Sequence, residues 1–303
     1  MLTVGLILGL AVAAGRWLRP PDGAVAGIDW VIINLALPSV VLRTVPNLEL
    51  GGAALVPVAV AWSMVALGAL AVLALSARAG WSRSVTGALL LVVPLGNTSF
   101  LGFPAVEALL GAEALPSAIL YDQLGTFLAL TTYGAVVAAR YGTTGNAGTE
   151  GGSALRRVVL RVAVFPPFVA LVAGFAARGV EIPPVVDDAL RLLAMTLTPL
   201  AMVSIGLRLA GRRLRWPSGP VAAGLVLRLV VMPGVVLGAA AVLGGSGVAW
   251  DAAVLESAMP SMVTAGIVAT SAGLDEDTVT SLVGLGLVAS LLTLPIWSLA
   301  LGA

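Results

Sequence analysis

Uncharged or nearly uncharged stretches recur throughout this chain of 303 residues, and they constrain its fold more than any motif does. A helix needs about 20 apolar residues to cross a bilayer core, and charged side chains at its ends can extend a shorter run. The chain is 59% hydrophobic and only 10% charged, which is far outside the range of soluble proteins. We therefore predict an all-α membrane protein with ten spans, at residues 2–15, 26–45, 51–77, 84–106, 114–139, 162–177, 189–207, 218–244, 252–272 and 278–301.

Two residue types that carry much of protein chemistry are missing, because the sequence has no cysteine and no histidine. Disulfides, thiol nucleophiles, zinc sites and haem ligation are therefore not expected, and we predict no cofactor. The formal net charge is +1, which offers no strong field to nucleic acid. The lipid bilayer is the partner that the composition predicts.

The arginines predict the orientation of the spans, because connections rich in arginine face the cytoplasm. Most of the arginines follow odd-numbered spans: Arg16, Arg19, Arg78, Arg83, Arg140, Arg156, Arg157, Arg161, Arg208, Arg212, Arg213 and Arg215. We expect a protein of the cell (inner) membrane with these connections inside and both termini outside. The connection after span 9, residues 275–277, is acidic and does not follow this pattern.

The two halves of the chain resemble each other. A shift of 161 residues brings the first five spans onto the second five, and Pro38 onto Pro199. Each half has an odd number of spans, so the second half must enter the membrane from the opposite side. This pattern is typical of secondary transporters built from inverted repeats. We predict repeats at residues 1–139 and 158–303, joined by a cytoplasmic linker at residues 140–157.

Span 4 contains residues that no continuous helix would favour. Its centre, residues 91–105, reads LVVPLGNTSFLGFPA. Proline removes a backbone donor, and glycine costs helix entropy. Irregular backbone is tolerated in a membrane only against protein or a water-filled cavity. We therefore predict two half-helices, with a break made by four structural residues: Pro94, Gly96, Gly102 and Pro104.

The repeat predicts a second break in span 9, where the sequence reads LESAMPSMV. Pro260 interrupts this span, Ser261 follows the proline, and Glu256 precedes it by one turn. A charged residue inside a span is costly and needs a partner or a cavity. Two broken helices that cross at mid-membrane would bring Glu256 near Asn97. Their half-helix N-termini would favour an anionic solute, and their C-terminal carbonyls would favour a cation.

Four motifs together resemble the auxin efflux carrier family, which includes plant auxin carriers and bacterial permeases for malonate and other organic acids. They lie in family order over nearly the whole chain: GNTSFLGFP, AILYDQLGTF, TPLAMVSIGLRL and LESAMPSMV. The resemblance implies two inverted five-helix repeats with crossing helices 4 and 9. It also implies an elevator mechanism, in which spans 3–5 and 8–10 move against a scaffold of spans 1, 2, 6 and 7 that forms a homodimer.

The same resemblance implies import or export of a small organic anion, and the crossover positions of the family carry over to Asn97 and Pro260. A more distant likeness is to the sodium–bile acid symporters, which surround sodium with a helix 9 glutamate and with serine and asparagine of helix 4. Glu256, Asn97 and Ser99 are similar, so a sodium site near them is an expectation. Pro260 stands where those carriers have a polar residue.

The candidate solute contacts have more than one interpretation. Asn97, Thr98 and Ser99 either contact the solute or cap the second half-helix of span 4. Arg228 in span 8 either faces the carboxylate of a solute or pairs with Glu256.

The candidate coupling residues also have more than one interpretation. Glu256 either carries the coupling ion, H+ or Na+, or only pairs with Arg228. Asp122 in span 5 either transfers a proton or, as we prefer, hydrogen-bonds the backbone of the break. Asp187 and Arg191 lie four residues apart and are expected to form an ordinary pair at the membrane interface.

The sequence thus predicts a secondary transporter of a small organic anion, with these solute contacts: Asn97, Thr98, Ser99, Pro260, Ser261 and Arg228. A passive channel or a membrane sensor is the main alternative. An intramembrane aspartyl protease is weaker, because Tyr121 and Asp122 mimic its first motif while the nearest second aspartate, Asp275, lies at a loop edge. We therefore expect that the chain is not an enzyme.

Overall fold

The computed structural model describes residues 2–18, 20–47, 51–143, 163–210 and 217–302. The predicted linker lies outside these residues from position 144 onward, so it stays a prediction. The same is true of several arginines that predict the orientation: Arg19, Arg156, Arg157, Arg161, Arg212, Arg213 and Arg215.

The described residues form helices and no strand. One isolated β-bridge, between Gly96 and Ser261, is the exception to the helical pattern in this part of the chain. The helices are numbered in chain order: α1 Leu2–Trp17, α2 Ala24–Asn47, α3 Leu55–Ala79, α4 Arg83–Val92, α5 Thr98–Leu110, α6 115–131, α7 Tyr133–Tyr141, α8 Pro166–Ala176, α9 Pro184–Ala210, α10 Gly219–Leu243, α11 Val248–Ser257, α12 Val263–Ser271 and α13 Glu276–Leu301.

Five of the described helices are long and apolar enough to cross a membrane, namely α2, α3, α9, α10 and α13. They contain 24 to 27 residues with a mean hydropathy of 1.7 to 2.4. Their outer faces expose large apolar side chains, such as Leu70 at 62% and Leu292 at 72%. Such faces, on helices of bilayer length, indicate contact with lipid. The chain is therefore a multi-pass helical membrane protein.

Helices occur in each of the ten stretches that the sequence predicts as spans. Span 4 is divided into α4 and α5, span 5 into α6 and α7, and span 9 into α11 and α12. The predicted all-α class is confirmed for the described residues. The count of ten spans and their inversion stay predictions.

Contacts divide the helices into two groups. In the first, α1 packs along the second half of α9, and α2 contacts α8 and α9. A Cβ on Gly206 would lie 2.5 Å from the Cβ of Ala11, so glycine lets α1 and α9 approach closely. Small residues at such contacts are typical of membrane helices. In the second group, α3, α6, α7, α10 and α13 surround the interrupted spans.

Four helices contain a π-helical turn, a rare widened turn that is frequent at functional sites. These turns are Ile32–Ala36 in α2, Thr98–Gly102 in α5, Tyr121–Phe127 in α6 and Leu227–Val231 in α10. The turns of α6 and α10 carry Asp122 and Arg228, each at the second position.

Two tryptophans donate hydrogen bonds to carbonyls within these π turns. Trp62 of α3 donates from Nε1 to the carbonyl of Leu124 at 3.0 Å, and Trp297 of α13 donates to the carbonyl of Leu229 at 2.8 Å. Each bond gives a partner to a backbone acceptor that would be costly to leave unpaired in a membrane. The π turns of α6 and α10 are thereby held against α3 and α13.

The predicted pair between Asp187 and Arg191 is wrong. Asp187 accepts a hydrogen bond from Nε of Arg43 on α2 at 2.7 Å, while Arg191 donates to Asp188 at 3.1 Å. Arg43 occupies both carboxylate oxygens of Asp187. Arg191 therefore bonds Asp188, which lies three residues away on the same helix face. An open cavity of about 670 Å³ adjoins the Arg43–Asp187 pair, and no predicted solute contact lines it.

Candidate functional site

The interruptions of spans 4 and 9 lie against each other. Residues 93–97 separate α4 from α5, and residues 258–262 separate α11 from α12. We call these two segments the paired breaks. Both predicted interruptions are thus present, and the side chains in both segments are buried.

The main chains of the paired breaks bond to each other. The N–H of Asn97 donates to the carbonyl of Pro260 at 2.8 Å, and the N–H of Met262 donates to the carbonyl of Leu95 at 2.9 Å. Breaking a helix leaves N–H and C=O groups without partners, and in a dry interior each needs one. Each break therefore supplies partners to the other, so that the two depend on one another.

Asp122 ties α6 to the start of α5. Its Oδ1 accepts hydrogen bonds from the hydroxyls of Thr98 at 2.5 Å and Ser99 at 2.7 Å, and its Oδ2 accepts one from the amide of Gln123 at 2.7 Å. These bonds are made with side chains at the start of α5, so the bond to the backbone of the break that the sequence favoured is not the arrangement seen. A carboxylate at the first turn of α5 is also favoured by the helix dipole. The carboxylate of Asp122 is therefore well supplied with donors.

Glu256 is in a very different environment. Its side chain has 0% exposure, and neither carboxylate oxygen has a hydrogen-bond partner among the described residues. The carboxylate lies over Gly102, where an added Cβ would be 2.5 Å from Oε2 and 2.7 Å from Oε1. Glycine at position 102 therefore makes room for it. A buried carboxylate without a donor is costly unless a proton or a cation accompanies it.

Three further buried polar atoms near the paired breaks have no partner in the described structure: Asn97 Nδ2, Ser261 Oγ and Gln123 Oε1. Asn97 precedes α5 at its N-cap position, but its side chain makes no capping bond. Its amide is thus free for another partner. The sequence argument overlooked Gln123, although its position directly after Asp122 in YDQLG was a signal.

Arg228 reaches the paired breaks from the π turn of α10. Its guanidinium donates to the main-chain carbonyls of Met259 at 2.6 Å, Pro94 at 3.3 Å and Glu256 at 3.5 Å. The contact with Glu256 is made with its carbonyl and not with its carboxylate. The predicted pairing of the two side chains is therefore not the arrangement seen, and a role in solute contact stays a prediction.

The structure places the four residues predicted to be structural in the first of the paired breaks and in the first half of α5. A Cβ on Gly96 would overlap Nη2 of Arg228, and Gly102 faces Glu256. Pro104 is the second residue of the regular helical part of α5 and follows directly after its π turn. Pro94 lies within the first of the paired breaks.

Long apolar helices that enclose unpartnered polar groups define a multi-pass membrane protein with a polar site inside its helix bundle. A family model described as "Membrane transport protein" matches residues 1–298. The chain therefore belongs to this membrane transport protein family, and the resemblance of its motifs to the auxin efflux carrier family is confirmed.

Two archaeal relatives extend this result. An uncharacterized transporter of Methanothermobacter thermautotrophicus is 31% identical over 278 residues, which cover 90% of this chain and 88% of the relative. An uncharacterized transporter of Methanocaldococcus jannaschii is 28% identical over 216 residues, which cover 70% of this chain and 67% of that protein. The family and these relatives make the chain a transporter and not an enzyme. Asp275 accordingly has a structural role, since it caps α13 by accepting a bond from the N–H of Thr278 at 2.8 Å.

Replacing Thr98 by Val should destabilise the protein, because it removes one of the donors to the buried Asp122 while nearly keeping the shape. A hydrogen bond to a charged group contributes about 1.5–3 kcal/mol. We expect a lower melting temperature of the purified protein in detergent. Thr270→Val is the matched control, because the hydroxyl of Thr270 bonds only within its own helix. Equal melting temperatures of the two variants would contradict the structural role of Thr98.

Proposed function

We propose that this protein is a secondary carrier that moves a small organic anion across the membrane by alternating access around the paired breaks. The observation that carries the proposal is the meeting of two interrupted helices in the interior, with unpartnered polar groups around them. Interrupted helices with free polar groups are the usual place of solute and ion binding in secondary transporters.

We further propose ten spans in two inverted five-helix repeats, with crossing at helices 4 and 9. The tryptophan contacts support this, because each repeat contributes one bond between a tryptophan and a π-turn carbonyl, and both join the third and fifth spans of their repeat. Contacts at one end of the molecule support it as well. Arg83 bonds the carbonyl of Arg140, and the N–H of Thr143 bonds the carbonyl of Ala272, so the ends of spans 5 and 9 and the start of span 4 lie together.

An elevator motion would place spans 1, 2, 6 and 7 in a scaffold and the other six in a mobile domain. The two contact groups of the fold support this division. The groups meet where Thr98–Gly102 of α5 contacts α9, and where Phe127 stacks on Phe165 with ring centroids 4.0 Å apart. We include three further points in this proposal. The protein forms a homodimer through the scaffold, it lies in the inner membrane, and both of its termini are outside.

A carboxylate is the solute group that these residues suit best. Asn97 Nδ2 and Ser261 Oγ are unpartnered donors, one on each side of the β-bridge. Uncapped N–H groups at the start of α12 add a positive helix end, which favours an anion. We propose that Asn97 and Ser261 donate to the solute here, and that Thr98, Ser99 and Pro260 line the site without donating to it, since both hydroxyls already donate to Asp122.

Coupling to H+ or Na+ is assigned in this proposal to Glu256. Its unpartnered carboxylate can take up either ion, and Asn97, in the other break, would contribute to a sodium site. Asp122 already accepts three hydrogen bonds, so we propose that it positions α5. A passive channel or a sensor would not accumulate solute against its gradient, which separates these alternatives from a coupled carrier.

Replacing Asn97 by Ala should strongly reduce transport while the protein still folds, because the amide donor to the solute is lost. Uptake of labelled mono- and dicarboxylates into proteoliposomes should fall by about tenfold or more, since a hydrogen bond to a charged group contributes about 1.5–3 kcal/mol. Asn34→Ala is the control, because Asn34 is half-buried and bonds only the carbonyl of Trp30 in its own helix. Unchanged uptake kinetics of the Asn97 variant would remove this residue from the site.

Replacing Glu256 by Gln should abolish the dependence of uptake on a pH or sodium gradient, because the amide cannot carry the coupling ion. Asp122→Asn is the comparison and should lower the melting temperature but keep the ion dependence. Uptake would be measured with each gradient imposed separately across the liposome membrane. A Glu256→Gln variant with both dependences intact would show that this carboxylate is not the coupling group.

A further inference from the structure

Arg228 occupies a place where the main chain concentrates negative charge. Its guanidinium bonds the carbonyls of Pro94, after the end of α4, and of Glu256 and Met259, at the end of α11. A helix C-terminus carries roughly half a negative charge on its free carbonyls. Two such ends converge here in the interior, and the side chain of Arg228 is only 1% exposed.

Interrupted helices in carriers commonly use these C-terminal carbonyls to coordinate a mobile cation. Here the three nitrogens of the planar Arg228 guanidinium already donate to these carbonyls. The sulfur of Met232 also lies 3.7 Å from Nη1. A mobile cation at this point would have to displace the guanidinium.

We propose that Arg228 is a built-in cation that holds the two broken helices together, and that it is a positioning residue rather than a solute contact. This role replaces the prediction from the sequence that Arg228 contacts the solute. Any coupling cation or proton must then act elsewhere, at the free carboxylate of Glu256. This last consequence rests on the proposed carrier function, whereas the structural role of Arg228 does not.

Gly96 provides an independent view of the same contact. A Cβ at position 96 would overlap Nη2 of Arg228, with the Cζ atom 2.9 Å away. An alanine there would push the guanidinium off its carbonyls without changing any charged residue. The positioning role therefore predicts that Gly96→Ala and the loss of Arg228 damage the protein through one shared cause.

The first experiment measures the melting temperature of purified Arg228→Ala in detergent, with millimolar guanidinium chloride or tetramethylammonium chloride. Guanidinium restores the N–H donors, while tetramethylammonium has the same charge and no donor. We expect a lower melting temperature that guanidinium raises in a saturable way and tetramethylammonium does not, with no rise in the unsubstituted protein. No response to guanidinium, or an equal response to both salts, overturns the proposal.

The second experiment does not depend on the alanine variant being purified. Gly96→Ala should lower the melting temperature, and adding Arg228→Lys should restore part of it, because the shorter lysine leaves the space of Nη2 empty. Gly238→Ala is the control, since a Cβ at Gly238 meets no atom within 4 Å. A double variant less stable than Gly96→Ala alone overturns the proposal.

Transport provides the third readout. Arg228→Lys should lower the maximal uptake rate severalfold while the half-saturating solute concentration stays nearly constant, as expected for a group that does not touch the solute. A selective rise of the half-saturating concentration would return Arg228 to the solute contacts. If the thermal experiments succeed and no carboxylate is transported, the proposed function is at fault and the positioning role stands.

Discussion

The structure depends on the need of buried main-chain groups for hydrogen-bond partners. Two helices are interrupted by proline in the interior, and each supplies the other with one donor and one acceptor, at Asn97–Pro260 and Met262–Leu95. In a membrane, unpaired groups would cost several kcal/mol each. Neither break would be stable alone, so the pair forms a unit whose position the surrounding helices must fix.

Charged side chains complete what the main chain leaves open. Asp122 lies at the start of α5, where the helix end is positive. Arg228 lies at the ends of α4 and α11, where the helix ends are negative. Both arise from π turns, which indicates that the widened turns aim these side chains at the breaks. Glu256 is the buried charged group without a bonded partner among the described residues. This difference is the reason that the coupling role is assigned to Glu256.

The sequence predicts the positions of the helices well, because apolar runs, prolines and glycines act locally. Pro94 and Pro260 identify both interruptions, and the repeat indicates that they belong together. The contacts of charged side chains are less predictable. Asp187 pairs with Arg43, 144 residues away, instead of Arg191. Arg228 bonds carbonyls instead of a carboxylate, because the breaks themselves free these carbonyls as acceptors. The π turn that directs Arg228 to them is not predicted by any residue pattern in α10.

The central claim is that the paired breaks face the two sides of the membrane in turn. Since the chain contains no cysteine, Met262→Cys introduces a single thiol at a buried position of the second break that is not a proposed solute contact. Its labelling by a membrane-impermeant maleimide would be measured from each side of oriented vesicles. The account predicts slow labelling from either side, with a saturating transported carboxylate changing the two rates in opposite directions. Labelling from one side alone, or two rates that rise and fall together, would contradict it.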